Sequence, residues 1–264
     1  CMNAWIMLNR VKNHLNRTRS PRESEERISW ALTTAMWRYI NDRVDNIKKS
    51  VREKTYSFEM VQRVKDELQS LVLKGSVPID PDGKILLPPS YYYEVGLRVQ
   101  INGVWRNSTP TDVGEWTNSE RNVYQRPTIE HPRHIIYQGE VEVKWGGELI
   151  TLGSLTEFWY LFAPPDIYVS EISLTNADTL LVGKMYAVDS GSVVYGGTTY
   201  VEGDSFQTGA LTSFTGTGTV RLVVNCLLPF QAHDEIVLWA SELLAETVEN
   251  FNRQQMKMME RKEV

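Results

Sequence analysis

At 264 residues and 30.3 kDa, with 42% hydrophobic and 23% charged residues, the chain has the composition of an ordinary globular protein and the length for one large domain or two small ones. Its longest apolar run, about Leu149 to Pro165, is interrupted by Gly153, Glu157 and prolines, which excludes the stretch of about 20 apolar residues that a membrane helix needs. The apolar patch Trp5–Leu8 has no small-residue cleavage site after it, and Cys1 and Cys226 read as an incidental residue and a buried thiol, so neither secretion nor a disulfide framework is expected.

Charge is divided unevenly. Residues 1–75 carry 15 Lys and Arg against 9 Asp and Glu, a net +6, whereas the remainder carries 13 against 24, a net −11. A basic amino-terminal part therefore precedes an acidic body, which suits solvated helix faces or a docking surface for an acidic partner or passing nucleic acid.

In chain order, Asn3–Arg17 reads as a short helix ended by Thr18-Arg19-Ser20-Pro21, where serine caps and proline opens the next helix. Arg27–Val51 places Ile28, Leu32, Ala35, Met36, Tyr39, Ile40, Val44, Ile47 and Val51 on one face, the strongest helical pattern in the chain. A third helix is predicted from Ser57 through Phe58, Val61, Val64, Leu68 and Leu71 to a stop at Lys74-Gly75. From Ser76 the period changes to that of short strands. Asp80-Pro81-Asp82-Gly83 reads as a turn, and strands are predicted near 77–79, 84–87, 92–101, 134–138, 140–145, 167–174, 185–188, 193–195, 198–201 and 219–225. Gly103–Arg133 reads as a long polar loop. Val-Val-Tyr and Thr-Thr-Tyr around Gly196-Gly197 predict a hairpin with a two-residue turn. From Ala232 a helical face returns over Ile236, Ala240, Leu243, Leu244, Thr247, Val248 and Phe251, and the helix is predicted to outrun a compact body.

The fold class predicted is α+β: an N-terminal helical unit over 1–75, a central antiparallel β-sandwich-like body over 76–177, an inserted small β-hairpin module over 178–220, and a last core strand with a long C-terminal helix over 221–264.

The pattern offers no catalytic, metal-binding or cofactor-binding set. His131-Pro132-Arg133-His134 lacks further ligands and helical spacing for zinc, and Asp80-Pro81-Asp82-Gly83 lacks the later oxygens of a calcium loop. Phe214-Thr215-Gly216-Thr217-Gly218 is followed by a strand, not the helix a phosphate loop needs. Glu140, Glu142, Glu157, Glu202 and Asp204 supply acids for a glycosidase, but no two stand out as a pair.

The order of elements carries a resemblance. Gly83-Lys84-Ile85-Leu86-Leu87-Pro88-Pro89-Ser90-Tyr91-Tyr92-Tyr93, the loop through Gln125-Arg126-Pro127 and His131-Pro132-Arg133, and the ending Pro229-Phe230 with His233-Asp234-Glu235-Ile236-Val237 and Arg253-Gln254-Gln255 resemble head-to-tail connector and ring (neck) proteins of tailed bacteriophages. Among these the likeness is to crAss-like phages. Ser190–Phe206, continued through Phe214, is similar to a small β module recurring in their virion proteins. The resemblance implies a structural, non-enzymatic virion protein assembled in the host cytoplasm. It implies a homo-oligomeric ring, a dodecamer, stacked between the portal and adjacent neck or tail rings, with genomic DNA passing through unread and no membrane contact. Subunit or ring contacts are expected at Arg10, Arg17, Arg19 and Arg22, at Tyr195, Tyr200, Phe206 and Phe214, and at Arg253, Met256 and Met259, with the acidic body or neutral residues facing the channel. Two other readings stay open, a carbohydrate- or receptor-binding tail module and a glycan-degrading enzyme.

Overall fold

The computed structural model describes residues 3–17, 23–53, 66–80, 83–119, 126–146 and 155–260, with side chains described for all of these except 17, 47–53, 118–119, 155 and 248–260. The fold is α+β. In chain order its elements are α1 (Ala4–Arg17), α2 (Glu25–Glu53), β1 (Val72–Pro78), β2 (Lys84–Leu86), β3 (Tyr91–Ile101), β4 (Val104–Pro110), α3 (Val113–Ser119), β5 (Arg133–Tyr137), β6 (Glu140–Lys144), β7 (Leu155–Phe162), β8 (Tyr168–Val169), β9 (Met185–Ser190), β10 (Ser192–Tyr195), β11 (Thr198–Val201), β12 (Ser205–Gln207), β13 (Thr215–Gly216), β14 (Thr219–Val224) and α4 (Phe230–Glu260). They form two compact units. The first comprises Cys1–Ser70 with Pro164–Val264, and the second Leu71–Ala163.

The second unit is one seven-stranded sheet in the order β1-β7-β3-β4-β5-β6-β2, antiparallel except where β4 meets β5. Its outer strands, β1 and β2, are consecutive in sequence. Laid flat, seven strands at about 4.8 Å spacing would hold them roughly 29 Å apart. Yet Asp80 N–H donates to the Lys84 carbonyl at 3.0 Å, so the two ends turn directly into one another. The sheet must therefore curl, and its core shows this. Leu97, Val99, Phe158 and Tyr160 from β3 and β7 share one buried cluster with Ile85, Val141 and Val143 from β2 and β6. The expected sandwich-like body is a single sheet folded on itself.

Three expectations change here. Most of the third helix lies outside the described residues, and its predicted stop at Lys74-Gly75 falls inside β1, which pairs along its length with β7 from Val72↔Leu161 to Pro78↔Leu155. Gly103–Arg133 is not a plain loop but holds β4 and α3. Asn102 and Gly103 take φ of 52° and 78°, the geometry of a tight two-residue hairpin turn from β3 into β4. Finally, β7 runs through the apolar stretch for which no strand was predicted. Lying between β1 and β3, it is central, and its burial alternates, with Thr156, Phe158 and Tyr160 buried and Glu157 and Trp159 half-buried, a period that the apolar Trp159 conceals in the sequence.

In the first unit, α1, α2 and α4 pack together. Trp5, Met7, Leu8, Val11 and Leu15 of α1, the predicted stripe of α2 as far as Val44, and Ala232, Ile236, Val237, Ala240 and Leu244 of α4 are buried. Asn3 caps α1, its Oδ1 accepting from Ile6 N–H at 2.9 Å, while its amide donates to the Gly203 carbonyl at 2.8 Å. The cap of α2 is Ser24, four residues beyond the predicted Ser20. Burial pushes the Cys226 thiol up to about 11, so it stays protonated and inert at neutral pH.

Two small sheets complete this unit, β12-β9-β14-β8 and β11-β10-β13. They share one core of Leu180, Tyr186, Val188, Val193, Tyr195, Phe206, Phe214 and Val220. Gly196 and Gly197, at φ 58° and 82°, make the predicted tight turn between β10 and β11. The glycine-rich run after Phe214 serves close packing: a Cβ at Gly218 would lie 2.5 Å from the Ser190 carbonyl oxygen. The module is not a separate insertion ending at 220, because β14 carries on through that point while paired with both β9 and β8.

Helices and sheets of this unit meet at Arg221. Its Nε donates to Asp189 at 2.8 Å, its Nη1 to Glu25 and to the Ser170 carbonyl, and its guanidinium lies 4.9 Å from the Trp5 ring centre. Lys12 reaches the same Glu25 at 2.7 Å. The Arg221 side chain is only 15% exposed, so removing it leaves Asp189 without a cation, and Glu25 with Lys12 alone, in a poorly hydrated place. Arg221→Met is expected to lower stability by about 2–4 kcal/mol in urea denaturation, and adding Asp189→Asn to recover part of that loss.

Candidate functional site

Two constellations stand out, one in each unit. In the second unit the fully buried ring of His134 bridges Ser108 and Glu94. Its Nδ1 lies 2.7 Å from Ser108 Oγ and its Nε2 2.6 Å from Glu94 Oε1. A carboxylate only accepts, so Nε2–H donates to Glu94, while Nδ1 shares its hydrogen bond with the serine hydroxyl. Beside them, burial first and the Glu94 carboxylate second raise the Tyr91 phenol above its ordinary range. The order Ser–His–Glu is that of a hydrolase triad, but the ring nitrogens are exchanged relative to that arrangement and the imidazole is closed off from solvent.

The position of this group explains it structurally. The parallel joint between β4 and β5 consists of two residue pairs, Thr109↔Arg133 and Pro110↔His134. His134, on β5, reaches across that short joint to Ser108 on β4 and Glu94 on β3, clamping the two halves of the curled sheet. His131 sits in an exposed turn instead, so the two histidines of His131-Pro132-Arg133-His134 have unlike surroundings. Among the described residues no three His, Cys, Asp or Glu gather as a metal set.

The acids considered for glycoside chemistry are spread over both units. Glu140 pairs with Lys84 at 3.1 Å, Glu142 with Lys144 at 3.6 Å and Glu157 with Lys74 at 2.7 Å, while Asp204 accepts from Val201 N–H in a turn. Glu202 is exposed in that same turn.

In the first unit an open groove of about 560 Å³ runs between α2 and α4, lined by Thr34, Trp37, Arg38, Asn41, Asp42 and Trp239. Residues 30, 34, 37, 38 and 41 fall on the side of α2 opposite its buried stripe. Trp30, one turn before Thr34 on that same side of α2, is 56% exposed. Arg38 lies 5.0 Å from the Trp239 ring centre, and the Tyr39 ring, tilted at 51° with its centre 6.2 Å away, also packs on Trp239, which holds that indole in place. The walls thus include two indoles, of which Trp239 is held by its neighbours, and the rim carries Arg38 and an Asp42 that pairs with Arg43 at 2.9 Å.

The expected contact residues are distributed as follows. Arg10 is exposed and its partner is Asp234 of the same chain, a solvent-screened pair of small energetic worth. Arg17 ends α1, with its side chain outside the description, and Arg19 and Arg22 lie outside the described residues. Tyr195, Phe206 and Phe214 are core residues of the small sheets; Tyr195 and Tyr200 stack on Phe206 with ring centres at 4.8 and 5.0 Å. They pack inward, so a neighbour could meet only the half-buried Tyr200. Arg253, Met256 and Met259 belong to α4, with side chains outside the description.

Sequence reading missed the groove. The signal was present, since Trp30 and Trp37 fall off the apolar stripe of α2. The His134 clamp had no such signal, its members being 40 and 26 residues apart in sequence. No protein-family model matches the chain, and a search of curated proteins finds no significant relative.

His134→Phe keeps the volume of the ring but leaves Glu94 without its donor, and is expected to destabilise the second unit by about 2–4 kcal/mol. Ser108→Ala should cost about 1 kcal/mol. Fluorophosphonate labelling of Ser108, measured by peptide mass spectrometry, would contradict the clamp and mark a nucleophile.

Proposed function

We propose that this chain is a structural subunit of a homo-oligomeric ring in the neck or tail of a bacteriophage particle, joining portal to tail around the path of the DNA. The class of particle comes from the resemblance of its motifs. The observation that carries the assembly role is the open aromatic groove between α2 and α4. Indoles on an open helical surface, with Trp239 held by Arg38 and Tyr39, are what a subunit interface covers, because large side chains of few rotamers bury much area with little loss of freedom.

Other features support the same reading. Helices, curled sheet and small paired sheets offer unlike surfaces, which a head-to-tail ring requires of each copy. No helix among the described residues is long and apolar enough to cross a membrane. The α4 backbone continues sixteen residues beyond Leu244, the last buried residue described on it, a rise of about 24 Å. The groove also favours a second reading, a carbohydrate- or receptor-binding module, because indoles beside Asn41, Asp42 and Arg38 suit the face and hydroxyls of a sugar.

Native mass spectrometry and negative-stain electron microscopy of the full chain, alone and with assembled portal, separate the two. A closed ring with a central opening, of twelve copies, is expected. A chain that stays monomeric in both conditions while glycans quench its tryptophan fluorescence would establish the second reading instead.

A further inference from the structure

We propose that Leu181, Val182 and Leu211 form an apolar tip that seats in the Trp37–Trp239 groove of a second copy of this chain, making the contact head-to-tail. The inference rests on the ring reading above and adds the two surfaces that meet.

The tip is prominent and rigid. Leu181, Val182 and Leu211 are 59%, 61% and 54% exposed. The two segments that carry them are tied together, Leu180 N–H donating to the Thr212 carbonyl at 2.8 Å and Gly183 N–H to the Thr208 carbonyl at 2.9 Å. Two buried phenols hold them from beneath. Tyr186 Oη accepts from Leu181 N–H at 2.9 Å, and Tyr195 Oη donates to the Leu211 carbonyl at 3.0 Å. Little ordering remains to be done when such a tip is covered. The aromatics of the small sheets thus act indirectly, by fixing the loops that present the tip.

The tip cannot serve its own chain's groove. It lies where the chain leaves β12 and enters β9, and β12 is the edge strand farthest from β8, about 14 Å away across the sheet. The β8 side is the one that packs on α1 and α2, with Thr33 Oγ1 donating to the Ile167 carbonyl at 3.2 Å. A second copy brings its tip to the groove without this restriction. The charges match as well. Arg38 lines the groove and is exposed, and Asp178, three residues before Leu181, is exposed as well, so the groove's cation meets an anion beside the tip, while Asp42 pairs with Arg43 of its own chain at 2.9 Å. A convex tip and a concave groove are different surfaces, and a contact between them repeats around a closed ring.

Mass photometry on the full chain tests this with two variants that change only exposed or groove-lining side chains, their folding checked by unaltered thermal melting. The tip variant is Leu181→Asp with Val182→Asp, and the groove variant is Thr34→Arg with Asn41→Arg. Each alone is expected to be monomeric. Mixed in equal amounts they should form dimers and nothing larger, because only one intact tip meets one intact groove in each pair. Variants that both assemble like the unaltered chain would overturn the tip contact while leaving the ring reading standing, and so would a mixture that stays monomeric. An unaltered chain that never assembles, with or without portal, would overturn both. Loss of glycan binding in the groove variant, with normal assembly of the tip variant, would assign the groove to a sugar.

Discussion

The guanidinium of Arg221 is the joint on which the first unit depends. It gathers an acid from α2, an acid from β9, a carbonyl just after β8 and the face of a tryptophan from α1, in a place where water reaches little of it. Apolar side chains in place of the whole network, its acids included, would hold the helices to the sheets as strongly, but without direction. A planar donor with fixed partners sets the angle between them. The angle matters because the aromatic groove belongs to the helices and the apolar tip to the sheets. For a subunit that repeats around an axis, the relation between those two surfaces determines how many copies close the circle.

The second unit solves a different problem. Its first and last strands are neighbours in sequence but opposite ends in pairing order, so short chain connectivity forces the sheet to curl. The weakest point of such a curl is the two-pair parallel joint, and the His134 bridge lies there. A triad of side chains associated with hydrolysis is thereby accounted for as a clamp: both imidazole nitrogens are occupied by bonds that cross the joint.

Much of the architecture was legible from local pattern. The stripes of α1, α2 and α4, the Gly196-Gly197 hairpin and most strands in 84–101 and 133–144 follow from residue period and turn chemistry. What escaped depended on distant partners. Val72–Pro78 becomes a strand because β7, more than seventy residues later, is there to pair with it, while the preceding Leu68 and Leu71 still carry helical spacing. β7 itself hides its alternation because Trp159, on the half-buried face, is as apolar as the buried Phe158 and Tyr160 on either side of it. By contrast, Asn102-Gly103 is a local hairpin signal within a stretch dominated by polar residues, and β4 could have been read from it. The aromatics of 190–214 were recognisable as packing residues, but not the direction of their packing. That became clear only once Phe206 was found with tyrosines on its surfaces.

In the proposed assembly, the indoles on one side of a fixed joint meet the aliphatic side chains on the other side of the next copy, so that copies add in one direction. An electron cryomicroscopy map of the assembled full chain examines that claim most directly. The account requires density from residues 181–182 of one copy against Trp37 and Trp239 of the next, repeated at every interface of a closed ring. A ring in which those indoles face solvent or the central channel at every position would contradict it.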